Sequence, residues 1–530
     1  MNKKFAALRD AFIKKYEKLA PECDEAEWDF YINSTDENMQ KYSAKQECLD
    51  NFLKDKKLYA MFRAINPATL SKQEQNQLSF ILRKIGGANS SKTELDDMEL
   101  GISQKYNSYV PMVDGKETST TEIASLLQTE KNPFVRKKFY DAKLRGGDLI
   151  ADDMKRLMIK RNEYAKSLGY ENYFEYKLKK GFKVDIRDLE NMMEMVSCQI
   201  SQQMNSILDE QKNNLKKIFG TKTLEPYHYD FLPEDSIDNK TNQYFRNVDD
   251  IINIAKETYK GMGYDIDGLI KNGNLTLDLL PRKNKNTHGF TFWVYPGKDN
   301  RILANLSNNL KSLKTLDHEL GHCVYDLNYE QSLCFLDKQT HPVMTEAVAM
   351  LMESIHKKEN TLRNVIPAQM LGELKATYAK DEILFIARAL TFINFEKEMY
   401  ENPDRDLAVL WRNTRVKYMG ADKDETPDNQ WATIPHFLSF PAYYQNYFRA
   451  SMIKAQMYEH LNAQLGLITE NSQTASYLKK HLFQYGVTMS ENELVKNMTG
   501  KELSCDAFIR SVCQTPAFIN ANINNHGCGR

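Results

Sequence analysis

His318, Glu319 and His322 stand within five residues, and Glu346 follows 24 positions after the second histidine. Residues four apart in a helix share a face, one turn apart. His318 and His322 can therefore aim two imidazoles at one point about 2 Å away, the distance a zinc ion requires. Glu346 supplies a third, carboxylate ligand. Glu319 lies beside that point, where a carboxylate can take a proton from an attacking water. The expected chemistry is hydrolysis of a peptide bond by one zinc ion per chain and a general base.

The surrounding residues predict elements that can hold such a group. Leu313, Leu316, Leu320, Val324 and Leu327 form an apolar stripe at helical spacing, and both histidines fall largely off it. One face of this helix can pack on the core while the other faces a cavity. Gly321 costs about 1 kcal/mol relative to alanine within a helix. Its missing side chain lets a metal, a substrate or another helix approach closely. Residues 345–354 read as a second helix, on which Glu346 and Glu353 are seven apart and near one face. Glu353 can orient a ligand histidine, or it is an ordinary solvated glutamate.

Before the first helix, two β-rich runs within 288–306 flank the turn Pro296-Gly-Lys-Asp-Asn, and residues 275–280 can add a third strand. An exposed edge strand there can hold an extended peptide through main-chain hydrogen bonds. A small sheet with no ligand is the other reading. His341 precedes Glu346 on a Thr-His-Pro loop, and His288 opens the strand region. Both are candidates for substrate binding, or have structural roles. His228, His356, His460, His481 and His526 take no assigned role.

The remainder of the chain bounds the answer. Its 530 residues can bury one large core or split into lobes. Only 23 Gly and 15 Pro predict that long helices dominate. Leu189, Met192, Met193, Val196 and Ile200 fit another helical stripe. A net charge of −1 without a dense basic face argues against a nucleic-acid partner. No run approaches 18 apolar residues, so no membrane span is expected. The first 16 residues read as an amphipathic helix rather than a signal peptide. A cytoplasmic chain is expected, or a periplasmic or secreted one if a signal has been removed. Eight scattered cysteines without a C-x-x-C pair predict reduced, mostly buried thiols. Loops are expected at 86–91, 114–119, 401–406 and 420–429, and charged helices near 36–58 and 66–85 as solvated outer faces.

The stretch from Arg301-Ile-Leu-Ala-Asn-Leu through His318-Glu-Leu-Gly-His-Cys-Val-Tyr-Asp to Thr345-Glu-Ala-Val-Ala-Met resembles the angiotensin-converting enzyme (peptidyl-dipeptidase A) family, in its bacterial branch. Similar segments are Arg161-Asn-Glu-Tyr-Ala-Lys-Ser-Leu-Gly-Tyr-Glu-Asn-Tyr, Leu410-Trp-Arg-Asn-Thr-Arg-Val-Lys-Tyr-Met-Gly, Pro435-His-Phe through Pro441-Ala-Tyr-Tyr-Gln-Asn-Tyr, and Met498-Thr-Gly-Lys-Glu-Leu. The resemblance runs from about 130 to 515. It implies a mainly α fold of the zincin, gluzincin type: two helical lobes around a deep cleft, with a small antiparallel β-sheet beside the zinc helix. It also implies a single catalytic domain over 1–530, a helical lid over about 1–125 and a zinc-site core over about 275–450. His436, Tyr444 and Tyr447 match the histidine and two tyrosines that bind the substrate carbonyl and transition state, with a one-residue insertion.

Three positions depart from that family. Ile434 stands where the animal enzymes carry a lysine that grips the substrate C-terminal carboxylate, Asn446 near the chloride-binding arginine, and Met350 at an acidic position. The Glu346/Glu353 pair and the Pro-His-Phe…Tyr-Tyr-x-x-Tyr region also resemble thimet oligopeptidase and oligoendopeptidase F. The expected activity on short peptides is thus dipeptidyl carboxypeptidase-like, or alternatively that of an oligoendopeptidase or an inactive zinc- and peptide-binding protein. A monomer is expected.

Overall fold

The structure, a computed structural model, describes residues 2–89, 93–233, 236–286 and 288–513. His526 and Cys528 lie outside the described residues. The chain is mainly helical, and it divides into two compact units. The first is built from 1–91, 241–375 and 450–504, the second from 92–240, 376–449 and 505–530. The stretch 1–125, expected as one lid region, is thus shared between the two.

In the first unit, the amphipathic start forms the helix Lys3–Ile32, whose N-cap Asn2 accepts a bond from the Phe5 amide. Its apolar face places Phe5, Phe12 and Tyr16 in a core with Phe52, Phe62, Phe80, Ile81, Ile85 and Phe335. The helices expected as solvated faces therefore differ. Asp36–Leu53 buries only its last two residues, whereas Lys72–Asn89 buries an apolar side. That second helix also runs through Gly86 to Asn89, where a loop was expected. The full burial of Ile81 and Ile85 outweighs the low helix propensity of glycine.

The sheet beside the site has three strands in the order Leu275–Asp278, Asp299–Leu303, Phe290–Tyr295. The last two form the expected hairpin, with Thr291 opposite Ile302 and Gly297 in a left-handed conformation (φ 74°) at the turn. The sheet is mixed rather than antiparallel. Leu275–Asp278 runs parallel to Asp299–Leu303, with Leu275 opposite Asn300. The helix Val248–Gly261 precedes the strand Leu275–Asp278, and a long connection separates that strand from its partner, so parallel pairing is available to it. A second, two-residue antiparallel ribbon, Met112–Val113 with Lys116–Glu117, turns on Asp114 and Gly115, both with positive φ.

Two helices follow the sheet. Leu310–Asp326 starts at Asn309, whose side chain accepts from the Ser312 amide at 2.8 Å. Leu313, Leu316, Leu320 and Val324 are all buried, as their spacing predicts. At its C-terminal end the Asp326 carboxylate accepts the Gly297 amide at 2.8 Å and fastens the hairpin turn to the helix. Pro342–Lys358 begins with Pro at its first position, where no amide partner is lost. The two helices meet at Gly321. A Cβ there would stand 2.8 Å from the Ala349 Cα, so the close approach is of another helix. Gly321→Ala is expected to destabilise the protein by about 2 kcal/mol, because overpacking of about 3 kcal/mol exceeds the roughly 1 kcal/mol gain in helix propensity. A fall in the thermal unfolding midpoint checks this, and an unchanged or raised midpoint would contradict the packing.

The second unit is organised around Pro133–Ser167, Tyr378–Glu401 and Leu407–Met419. Phe392, Phe395, Trp411, Trp431 and Phe437 interlock at ring-centroid distances of 5.1–5.9 Å for the pairs Phe392–Trp411, Phe395–Trp411, Phe395–Trp431 and Phe395–Phe437. The stripe at 189–200 forms Ile186–Gln199, burying Leu189, Met193 and Val196.

Seven cysteines are described, and none of these is joined in a disulfide. Only Cys23, Cys323 and Cys505 are buried, so the expectation of mostly buried thiols is corrected. Among the described residues, no helix is long and apolar enough to cross a membrane.

Candidate active site

The i, i+4 spacing on Leu310–Asp326 brings the imidazoles of His318 and His322 together, Nε2 to Nε2 at 3.2 Å. From Pro342–Lys358, a Glu346 carboxylate oxygen comes within 3.7 Å of His318 Nε2. One donor atom from each of the three residues lies within 4.8 Å of the others. A tetrahedral ion with ligands at about 2.0–2.1 Å holds neighbouring donor atoms about 3.3 Å apart. The His318–His322 and His318–Glu346 separations of 3.2 and 3.7 Å are close to that geometry, and two imidazoles and a carboxylate suit zinc in number and type.

The outward nitrogens of both rings are occupied. His318 Nδ1 lies 3.1 Å from Glu353 Oε2, and His322 Nδ1 lies 2.6 Å from Thr345 Oγ1. Neutral rings with their protons on Nδ1 would aim both Nε2 lone pairs at the shared space, the arrangement a cation stabilises. Burial opposes charge on His318, but the Glu353 hydrogen bond and the charges of Glu353, Glu319 and Glu346 outweigh it and push its pKa up to about 9. Burial, reinforced by His318, drives His322 well below its ordinary value. Glu353 also resists ionisation through burial, yet its bond and charge interaction with His318 hold it below the usual carboxylate range.

Glu319 is buried, and its Oε2 lies 2.8 Å from the Thr291 hydroxyl on the edge strand Phe290–Tyr295. Burial raises its pKa, with His318 and Thr291 acting in the opposite direction. An elevated carboxylate is suited to accept and return a proton. Cys323, beside His322, is fully buried, and burial pushes its thiol well above the ordinary value. It therefore stays a neutral thiol.

Behind Leu310–Asp326, the buried Asp317 carboxylate lies 2.5 Å from His356 Nε2, and Tyr259 donates its hydroxyl to the Asp317 carbonyl at 2.6 Å. His356 Nδ1 also meets Thr361 Oγ1 at 2.6 Å. His356 thus joins Pro342–Lys358 to the residue preceding His318, a structural role that the sequence did not assign. His341 Nε2 lies 2.9 Å from the Met489 carbonyl oxygen, and its other nitrogen faces Glu491 at 3.9 Å. His288 is exposed just before the edge strand.

In the second unit, His436 lies on the short helix Pro435–Ser439, and Tyr444 and Tyr447 lie on the first turn of Tyr444–Leu465. Their rings cluster, with centroids 4.8 Å apart for His436–Tyr444, 6.1 Å for His436–Tyr447 and 5.3 Å for Tyr444–Tyr447. Tyr443, which sequence reasoning passed over, joins them 5.3 Å from Tyr447. Burial lowers the His436 pKa and keeps the imidazole neutral, and it raises that of Tyr444. Two buried ionisable side chains pin this turn. Arg161 donates to the carbonyls of Phe437 (3.3 Å) and Leu438 (2.6 Å), and Glu396 accepts the amide of Ala442 (2.8 Å), which is left-handed at φ 60°. Glu396 itself is pushed up to about 8 by burial.

Residues 126–513 match the model of peptidase family M3. The chain belongs to that family. M3 peptidases are generally zinc-dependent metallopeptidases, and the mainly helical fold and the donor cluster agree with membership. A curated relative, the oligoendopeptidase F homolog of Borreliella burgdorferi, is 23% identical over 366 residues, which cover 66% of this chain and 58% of the relative. The chain thus spans less than two thirds of that relative's length. Membership lies at the level to which the oligoendopeptidase F resemblance pointed.

Proposed function

We propose that this M3 peptidase cuts internal bonds of short peptides, with one zinc ion held by His318, His322 and Glu346. The observation that carries the reading is the convergence of the three donors while Glu353 and Thr345 occupy the outward ring nitrogens. A zinc ion bound there supplies Lewis acidity, polarising the scissile carbonyl and acidifying a water. Glu319 takes the proton of the attacking water and delivers it to the leaving amine nitrogen. Thr291 holds the Glu319 carboxylate in place from the strand. By resemblance, His436 with Tyr444 or Tyr447 donates hydrogen bonds to the negative carbonyl oxygen, an effect of roughly 3 kcal/mol per donor in measured cases. A protein that only bound peptides would have no use for Glu319 as a base.

Ile434 supports internal cutting over release of C-terminal dipeptides. It is half-buried and apolar, and it cannot pair with a carboxylate whose unpaired burial is costly. Elemental analysis for zinc, with mass spectrometry of products from a mixed peptide library, tests metal, activity and cut position together. A free-acid peptide and its C-terminal amide are expected to be cleaved at comparable rates. A loss of about a hundredfold for the amide, the size expected when one partner of a buried charge pair is removed, with dipeptides as sole products, would overturn internal cutting.

A further inference from the structure

We propose that Thr345 is a positioning residue for the metal, fixing the ring and tautomer of His322 so that its Nε2 lone pair faces the ion. The proposal rests on the reading of His318, His322 and Glu346 as ligands. Three facts support it. Thr345 Oγ1 lies 2.6 Å from His322 Nδ1, and both residues are buried, so solvent does not compete for that nitrogen. Thr345 immediately precedes Glu346 on Pro342–Lys358, so the helix that supplies the carboxylate ligand also orients a histidine. Glu353, two turns on, does the same for the other histidine.

The two histidines are therefore supported differently. His318 faces a carboxylate and His322 a neutral hydroxyl. A hydroxyl that accepts the Nδ1 proton leaves Nε2 as the lone-pair nitrogen and adds no further negative charge beside Glu319, Glu346 and Glu353. In a helix the branched Cβ of threonine leaves it two χ1 rotamers, and the 2.6 Å contact marks the one that presents the hydroxyl to the imidazole. Removing the oxygen leaves the buried Nδ1 without that partner and the ring free to rotate or to carry its proton on Nε2, where it blocks the metal.

Thr345→Val keeps the shape of the side chain and puts a methyl in place of the hydroxyl. In competition with a chromophoric zinc chelator, the Val variant is expected to lose about ten- to hundredfold in zinc affinity, the range for changes to groups that orient metal ligands. Thr345→Ser should stay near wild type, because it retains the oxygen. A purely structural role would lower the melting temperature of the metal-free protein. The positioning role instead reduces the increment in melting temperature that zinc produces. If Val perturbs the metal-free fold, Thr345→Ala removes the same oxygen without bulk and is read in the same way. Loss of affinity in Val or Ala with retention in Ser supports the proposal. Wild-type affinity in Val and Ala, or an equal loss in Ser, overturns it. A wild-type protein that binds no zinc would instead overturn the ligand reading itself.

Discussion

Replacing Glu319 with glutamine is expected to leave the fold and the metal in place and to lower kcat by about 10²–10⁴, the usual contribution of a positioned general base. The substitution is nearly isosteric. The amide oxygen of glutamine can still accept the bond that Thr291 gives to Oε2, so the side chain keeps its place on the strand. It cannot take a proton from water or carry one to the leaving amine. His318, His322 and Glu346 are untouched, so zinc measured by elemental analysis should remain at the wild-type ratio. Steady-state kinetics on a short peptide then isolate the chemical step, with KM little changed. A variant retaining more than about a tenth of wild-type turnover, a barrier increase below about 1.4 kcal/mol, would remove Glu319 from the role of base.

The local parts of this site were legible in the sequence because helical periodicity alone specifies them. The i, i+4 histidines, the buried stripe from Leu313 to Val324, and Glu353 two turns beyond Glu346 all follow from 3.6 residues per turn. The hairpin was legible because its turn residues and β-rich flanks are adjacent in the chain. What escaped depends on contacts distant in sequence. The parallel partner of Leu275–Asp278 is chosen by how the chain returns, which no local pattern encodes. His356 has no motif of its own. Its role appears only when Asp317, 39 positions earlier, lies against it. Thr345 could have been found, since a hydroxyl beside a ligand glutamate on an inward helix face is a candidate to orient a histidine. Arg161 and Glu396 were hidden because these buried side chains pair with main-chain groups of a turn far along the chain. The helix runs on through Gly86 because propensity is a weak prior against the burial of Ile81 and Ile85.

Removing the side chains proposed as metal ligands tests the centre without relying on turnover. Glu346→Ala is expected to weaken zinc retention by more than about a hundredfold, beyond the range for groups that merely orient ligands, and His318→Ala/Glu346→Ala to hold no zinc after dialysis against a chelator. The two residues come from different helices, so the double variant leaves only His322 to approach the ion. The fold should survive. Both helices are anchored by buried apolar residues and by the Asp317–His356 contact, none of which the substitutions touch. The metal-free variants should therefore melt cooperatively near the metal-free wild type while losing the increment that zinc confers on the wild type. Glu353→Gln provides the scale between these limits. It keeps all three proposed ligands and changes only the partner of His318 Nδ1, so its loss should fall within about ten- to hundredfold. The order expected is wild type, then Glu353→Gln, then Glu346→Ala, then the double variant. Full zinc occupancy in the double variant would place the metal elsewhere and withdraw the assignment of His318 and Glu346 as ligands.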